Sequence, residues 1–384
     1  GLWLNLLLGF GGAFWVADAA ERYLSVSTPL AILILLVHAS VHQLQLVAFA
    51  GVYWKTLRAR PPSTFVQLVA LAFVYTGFDW IAPKLFRDSL GLVLYSSPLL
   101  RQLAAYGGVT LLTFLVTLGN LAGYALVAEA LGLSRAQPRS FMQLARPGLR
   151  LVVPIAAFVA LGAFEHARVS RALDAPKNMI RVGIVQGNVA DPLRRSWARG
   201  DADAARESLQ SYVRGTERLI DSPAPPELVV WPETTYPGVF RKPENDAQLR
   251  LNVAFDRLIA ELGVPLAFGA YDREARMDRR VLRNALYLVT PQRDQGVDVL
   301  STMKVYHKST LFPFGEYLPF ADEGTARSWL PGAAHLASGS GPAVLELRRT
   351  DSPTIQLGPS ICYEDVFSSH ARVLSRLGAQ LLIN

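Results

Sequence analysis

A carboxylate, an amine and a thiol occur in this chain in settings that suit acyl transfer. Cys362 is the only cysteine among 384 residues. It lies in Pro-Ser-Ile-Cys-Tyr-Glu-Asp (359–365), between an apolar strand-like stretch and a polar turn. Glu233 ends the apolar run of Val-Val-Trp-Pro-Glu-Thr-Thr-Tyr-Pro (229–237). Lys308 and Glu316 stand in Tyr-His-Lys-Ser-Thr-Leu-Phe-Pro-Phe-Gly-Glu-Tyr-Leu-Pro (306–319). A sulfur can attack a carbonyl, a carboxylate can take and return the proton, and an ammonium can stabilise the oxyanion. With Glu233 as acceptor and Lys308 nearby, the thiolate is expected to be favoured. A lone cysteine on a strand is more often a small buried hydrophobe. On an oxidising face with no second cysteine to pair with, however, a free thiol needs a chemical reason.

From residue 178 onward the pattern is that of an α/β domain able to hold such groups at strand ends. Strands are expected at 180–188, 227–231, 265–271, 343–347, 354–361 and from 380. Segments 284–290 and 297–306 read as an antiparallel pair around a turn at 292–296. Amphipathic spacing predicts helices over 203–220, 249–262 and 370–377.

The first 170 residues are different. No Asp, Glu, Lys or Arg occurs from Tyr23 to Trp54, from Pro61 to Phe78, or from Gln102 to Ala128. Uncharged apolar runs of about 18 residues or more can span a bilayer. Five spans are expected, near 1–19, 29–53, 64–82, 103–131 and 149–166. Lys55, Arg58 and Arg60 fill one connection, and Arg135, Arg139, Arg146 and Arg150 surround another. The positive-inside rule puts both in the cytoplasm, and everything after about residue 167 on the outer face. The net charge of +7 then follows from topology, with no reason to invoke nucleic acid. His38 and His42, four apart, have a metal-like helical spacing, but helix–helix hydrogen bonding or a lumen-facing role is expected in place of a metal site. Asp79 and Glu129 lie near span ends, which argues against an ion pathway.

The ordered motifs Trp-Pro-Glu, His-Lys-x-x-Leu-x-Pro-Phe-Gly-Glu-Tyr and Ile-Cys-Tyr-Glu resemble those of the nitrilase (carbon–nitrogen hydrolase) superfamily. Behind a multi-span region, the whole chain resembles the apolipoprotein N-acyltransferase family of the bacterial inner membrane. That resemblance implies an αββα sandwich over 178–384 behind a membrane region over 1–170. It implies Glu233 as general base, Lys308 as oxyanion stabiliser and Cys362 as nucleophile. Glu316 is implied as a second carboxylate at the centre, the Tyr363 backbone N–H as part of the oxyanion hole, and Glu364 as a supporting residue. Gln186 and Asn284 match positions near strand ends, where a structural role is expected. Family members usually have further spans before this sequence begins and continue beyond Asn384, so a chain truncated at both ends is expected. Asp79 stands where the family more often has proline.

The implied reaction moves an acyl chain from a phospholipid through a cysteine thioester to the N-terminal amine of a diacylated lipoprotein. No metal or organic cofactor is implied. The implied location is multi-pass in the inner membrane, with the catalytic domain on the periplasmic side. Two other classes stay open: a membrane-anchored nitrilase-type amidase or hydrolase, which passes the acyl group to water, and a non-catalytic paralogue.

Overall fold

The computed structural model describes residues 1–24, 26–57, 65–131, 141–174, 179–189, 202–243, 245–276, 279–291, 303–322, 324–325, 328, 335–349 and 352–384. The expected turn at 292–296 and the basic residues Arg58, Arg60, Arg135 and Arg139 lie outside them. The chain divides into two compact units, Gly1–Lys177 and Asn178–Asn384.

The first unit is helical: α1 (Leu2–Ala13), α2 (Trp15–Leu24), α3 (Thr28–Val41), α4 (Leu44–Leu57), α5 (Phe65–Ile81), α6 (Ala104–Ala130) and α7 (Phe141–Asp174). By length and apolar composition, Thr28–Thr56 and Leu100–Ala128 can cross a membrane, and α1 with α2 could form a third span, bent by 49°. Within Thr28–Thr56 the helix has a local turn at 42–43, and Asn5 meets the backbone groups there. Its Nδ2 donates to Ala39 O (3.2 Å) and Ser40 O (2.9 Å), and its Oδ1 accepts from Gln43 N (2.7 Å). Those are backbone groups that a helix break leaves unpaired and that an apolar setting penalises. The α5–α6 contact buries Leu68, Leu71 and Ala72 against Leu118, Leu121 and Ala122. At the end of α5, Asp79 receives Lys84 Nζ (2.7 Å) and Ser89 Oγ (2.6 Å), so its charge is paired on the spot.

The second unit contains a five-stranded sheet in the order β1 (Val182–Ile184), β2 (Leu228–Val230), β3 (Leu266–Arg276), β4 (Arg279–Val289), β5 (Met303–His307). The first three strands run parallel, and β3–β4–β5 form antiparallel pairs. A second sheet has the order β6 (Leu345–Leu347), β7 (Ile355–Pro359), β8 (Leu381–Ile383). One core lies between the first sheet and two helices, α8 (Ala202–Ile220) and α9 (Asp246–Leu262), with Trp231, Phe255, Phe268 and Tyr287 at its centre. The other lies between the sheets, where Leu228, Ala267, Leu286 and Tyr306 meet Leu347, Leu357 and Ile383. A last helix, α10 (Ser368–Arg376), buries His370 and Leu374. This is a helix–sheet–sheet–helix sandwich. Helix α9 starts three residues earlier than its apolar pattern predicts because Asn245 accepts from Gln248 N (2.9 Å) as an N-cap. It stops at Gly263, in the left-handed region with φ 64°.

Candidate active site

Glu233 leaves the first sheet three residues after β2. Trp231, buried in the helix-side core, ties this exit down by donating its Nε1–H to Thr216 Oγ1 of α8 (2.9 Å). Pro232 O accepts from Gly269 N (3.2 Å) and Gly269 O accepts from Thr235 N (2.9 Å), laying the Glu233 turn directly on β3. The approach requires glycine, since a Cβ on Gly269 would lie 2.4 Å from Thr234 N and 2.6 Å from Glu233 Cα. Thr234 is itself in the left-handed region, φ 53°.

Lys308 follows β5, whose alternation turns it into the layer between the sheets. Its side chain is 1% exposed, and Nζ lies 2.8 Å from Glu316 Oε1 and 3.5 Å from Glu233 Oε1. Burial alone would lower this amine, but Glu233 and Glu316 outweigh it and hold the ammonium above the ordinary lysine range. Glu316 is fixed by its own loop: its Oε2 accepts from Phe312 N (2.7 Å), and its backbone N donates to Phe312 O (2.9 Å).

Asn284 joins these groups. Its Nδ2 donates to Glu233 Oε1 (2.6 Å) and to Glu316 Oε1 (3.2 Å), so one amide spaces the two carboxylates around the ammonium. The structural role expected for Asn284 takes a specific form here: this buried residue touches both acidic groups of the site. The available signal was a lone amide in the apolar run of β4. Gln186, in contrast, is exposed beyond β1.

Cys362 opens a short 3-10 helix, Cys362–Val366, immediately past β7. Its φ of 51° makes the turn sharp, and the residue is solvent-exposed. Glu364 builds the turn from beneath. Fully buried, it accepts through Oε2 from Ile361 N (2.9 Å), and through Oε1 from Tyr306 Oη (2.8 Å), Ser309 N (2.7 Å) and Thr310 N (3.0 Å). One carboxylate thus ties the cysteine turn to the segment that follows Lys308. Tyr363 packs its ring edge-to-face between Phe312 and Phe367, each centroid 5.1 Å away.

Glu233 and Lys308 both act electrostatically on the thiol, in opposite senses. Partial burial of the sulfur and the adjacent Glu233 charge push the thiol up to about 11, with Lys308 opposing them. This corrects the expectation that the thiolate is favoured at rest: two carboxylates and one ammonium surround the sulfur, so negative charge prevails. The resting pair is thiol and carboxylate, which can pass a proton as the sulfur attacks.

The structure thus gathers Glu233, Lys308 and Cys362 from the ends of β2, β5 and β7, with Glu316, Tyr363 and Glu364 around them. The carbon–nitrogen hydrolase family model matches residues 181–384, and the chain belongs to that family. Residues 1–122 match the N-terminal domain model of apolipoprotein N-acyltransferase. Among curated relatives, the apolipoprotein N-acyltransferase of Bdellovibrio bacteriovorus is 26% identical over 99% of this chain and 66% of its own length. That of Geobacter metallireducens is 27% identical over 82% of this chain and 53% of its own length. The chain therefore spans between half and two thirds of the length of these two relatives. Among solved structures, an amidase from Nesterenkonia sp. AN1 aligns at 18% identity and a TM-score of 0.34, covering 54% of this chain and 65% of that one.

Proposed function

We propose that this chain carries the acyl-transfer site of an apolipoprotein N-acyltransferase. The observation that carries the reading is Glu233 lying 3.5 Å from the Lys308 ammonium, with both charges acting on the Cys362 thiol. Cys362 attacks the ester carbonyl of a phospholipid while its proton moves to Glu233. The Lys308 ammonium and the Tyr363 N–H stabilise the oxyanion. Collapse expels the lysophospholipid alkoxide, which takes the proton from Glu233 and leaves an acyl thioester on Cys362. In the second half, the N-terminal amine of a diacylated lipoprotein attacks the thioester, and Glu233 takes the amine's proton. The proton then returns to the departing sulfur. Glu316 and Asn284 hold Lys308 and Glu233 at their working distances.

Both substrates are held in a bilayer by acyl chains, and the same polypeptide supplies apolar helices long enough to enter one. Residues 1–170 form the membrane region in this reading, with five spans, and 178–384 form the catalytic domain on the periplasmic side of the inner membrane. The test is mass spectrometry of lipoprotein N-termini from cells with and without the full-length gene. The N-terminal amine is expected to be acylated only when the gene is present. Equal acylation without it would overturn the proposal.

A further inference from the structure

We infer that His307 and Asp272 form a positioning pair that aims the Lys308 ammonium from behind the sheet, an inference that rests on the role proposed for Lys308. Along β5, Met303 and Val305 pack into the helix-side core while Tyr306 packs into the inter-sheet core. The same alternation sends His307 to the helix side and the next residue, Lys308, to the site. On the helix side, His307 Nε2 donates to Asp272 Oδ2 at 2.8 Å. His307 pairs across the sheet with Ala285, and Ala285 with Ala270. Those two small side chains leave the imidazole room to lean across β4 towards Asp272 on β3.

Asp272 is a firm anchor. It is 8% exposed, and its Oδ1 accepts from Lys242 Nζ at 2.6 Å. Partial burial would raise this carboxyl, but His307 and Lys242 outweigh it and hold Asp272 well below the usual carboxylate range. The neighbouring Arg283 does not compete for it, since Arg283 Nε donates to Glu274 Oε2 (3.0 Å) and Nη1 to Ser338 O.

The main chain at Lys308 is held by two bonds, Lys308 N to Asn284 O (2.9 Å) and Gly339 N to Lys308 O (2.7 Å). These fix its position, but the roll of the strand end is set by what grips the adjacent side chain. A small roll is magnified along the lysine stem, and a misplacement of about 1 Å can cost on the order of 10²-fold in rate. Pinning His307 on one face therefore keeps Nζ between Glu233 and Glu316 on the other.

The test follows alkylation of Cys362 by iodoacetamide at pH 8 in the full chain, with thermal unfolding monitored in parallel. Lys308→Met sets the reference and is expected to slow alkylation by about tenfold, because the ammonium no longer favours the thiolate. His307→Phe, which keeps a ring in place, is expected to slow it by about threefold or more. His307→Gln, whose amide can still donate to Asp272, should recover most of that loss. Asp272→Asn probes the same link from its other end and gives a reading if His307→Phe does not fold. In the Lys308→Met background, neither His307→Phe nor Asp272→Asn should slow alkylation further, since a residue acting through Lys308 has nothing left to aim. Equal slowing with and without Lys308, or wild-type rates in both variants, would overturn the pairing. An unchanged rate in Lys308→Met would overturn the Lys308 role itself, and the inference with it.

Discussion

Replacing Glu233 by Gln should move two reactions of Cys362 in opposite directions. The thiol sits at about 11 in the intact site. At pH 8 roughly one sulfur in a thousand is then ionised. Glu233 is the strongest charge holding it there, after burial of the sulfur itself, while Lys308 pulls the other way. Removing the Glu233 charge leaves burial and Lys308 in place, so the midpoint should fall by about one pH unit and the thiolate fraction rise about tenfold. Iodoacetamide, which needs only the thiolate, should therefore label the Glu233→Gln chain about tenfold faster at pH 8. Acylation by phospholipid needs the proton taken during attack, so the same variant should acylate about 10²-fold more slowly. The sign also fixes the wild-type pH profile. Because the folded thiol lies above its usual range, alkylation should keep rising through pH 9 and 10 instead of levelling near about 8.5. Stopped-time alkylation read by intact mass suits this assay, because the chain has one cysteine. Slower alkylation in Glu233→Gln, or an unchanged acylation rate, would refute the reasoning.

Lys308→Met should lower turnover by about 10² or more through loss of an oxyanion donor, with expression maintained, as measured by acyl transfer in the full-length protein. Gly269→Ala should lift the Glu233 turn off β3, because its Cβ would meet main-chain atoms at 2.4 and 2.6 Å; a stability loss of about 1–3 kcal/mol in denaturant unfolding is expected, with acylation falling further than that loss explains. In a Cys362→Ala background, single cysteines at Ala59 and Ala275 test topology: a membrane-impermeant maleimide reaching the outer face should label 275 and spare 59, and the reverse pattern would overturn the proposed orientation.

Much of this site was legible in the chain because each principal residue marks the end of an apolar run. Glu233 and Cys362 directly follow strand-like segments, and Lys308 follows the apolar half of β5, so local pattern and motif order coincided. Asn284 was harder to read. Its partners come from the β2 exit and the 312–316 loop, and only the β3–β4–β5 register brings them together. The resting state of the thiol was also beyond the motifs, because it depends on how many charges of each sign surround the sulfur. In the helical unit, hydropathy read 29–53 as one span, and Thr28–Thr56 is long and apolar enough to cross a membrane as one; what the run does not signal is its local turn at 42–43. The turn at 42–43 is stabilised by Asn5, more than thirty residues away, which takes up the freed backbone groups.

The most direct test of the central claim is the covalent intermediate. Full-length protein given phospholipid without an acceptor should accumulate one acyl group on Cys362, cleavable by neutral hydroxylamine and absent from Cys362→Ala. Adding a diacylated lipopeptide should then discharge the acyl group into an N-acyl product. Discharge into free fatty acid alone, or activity retained in Cys362→Ala without any adduct, would contradict the account.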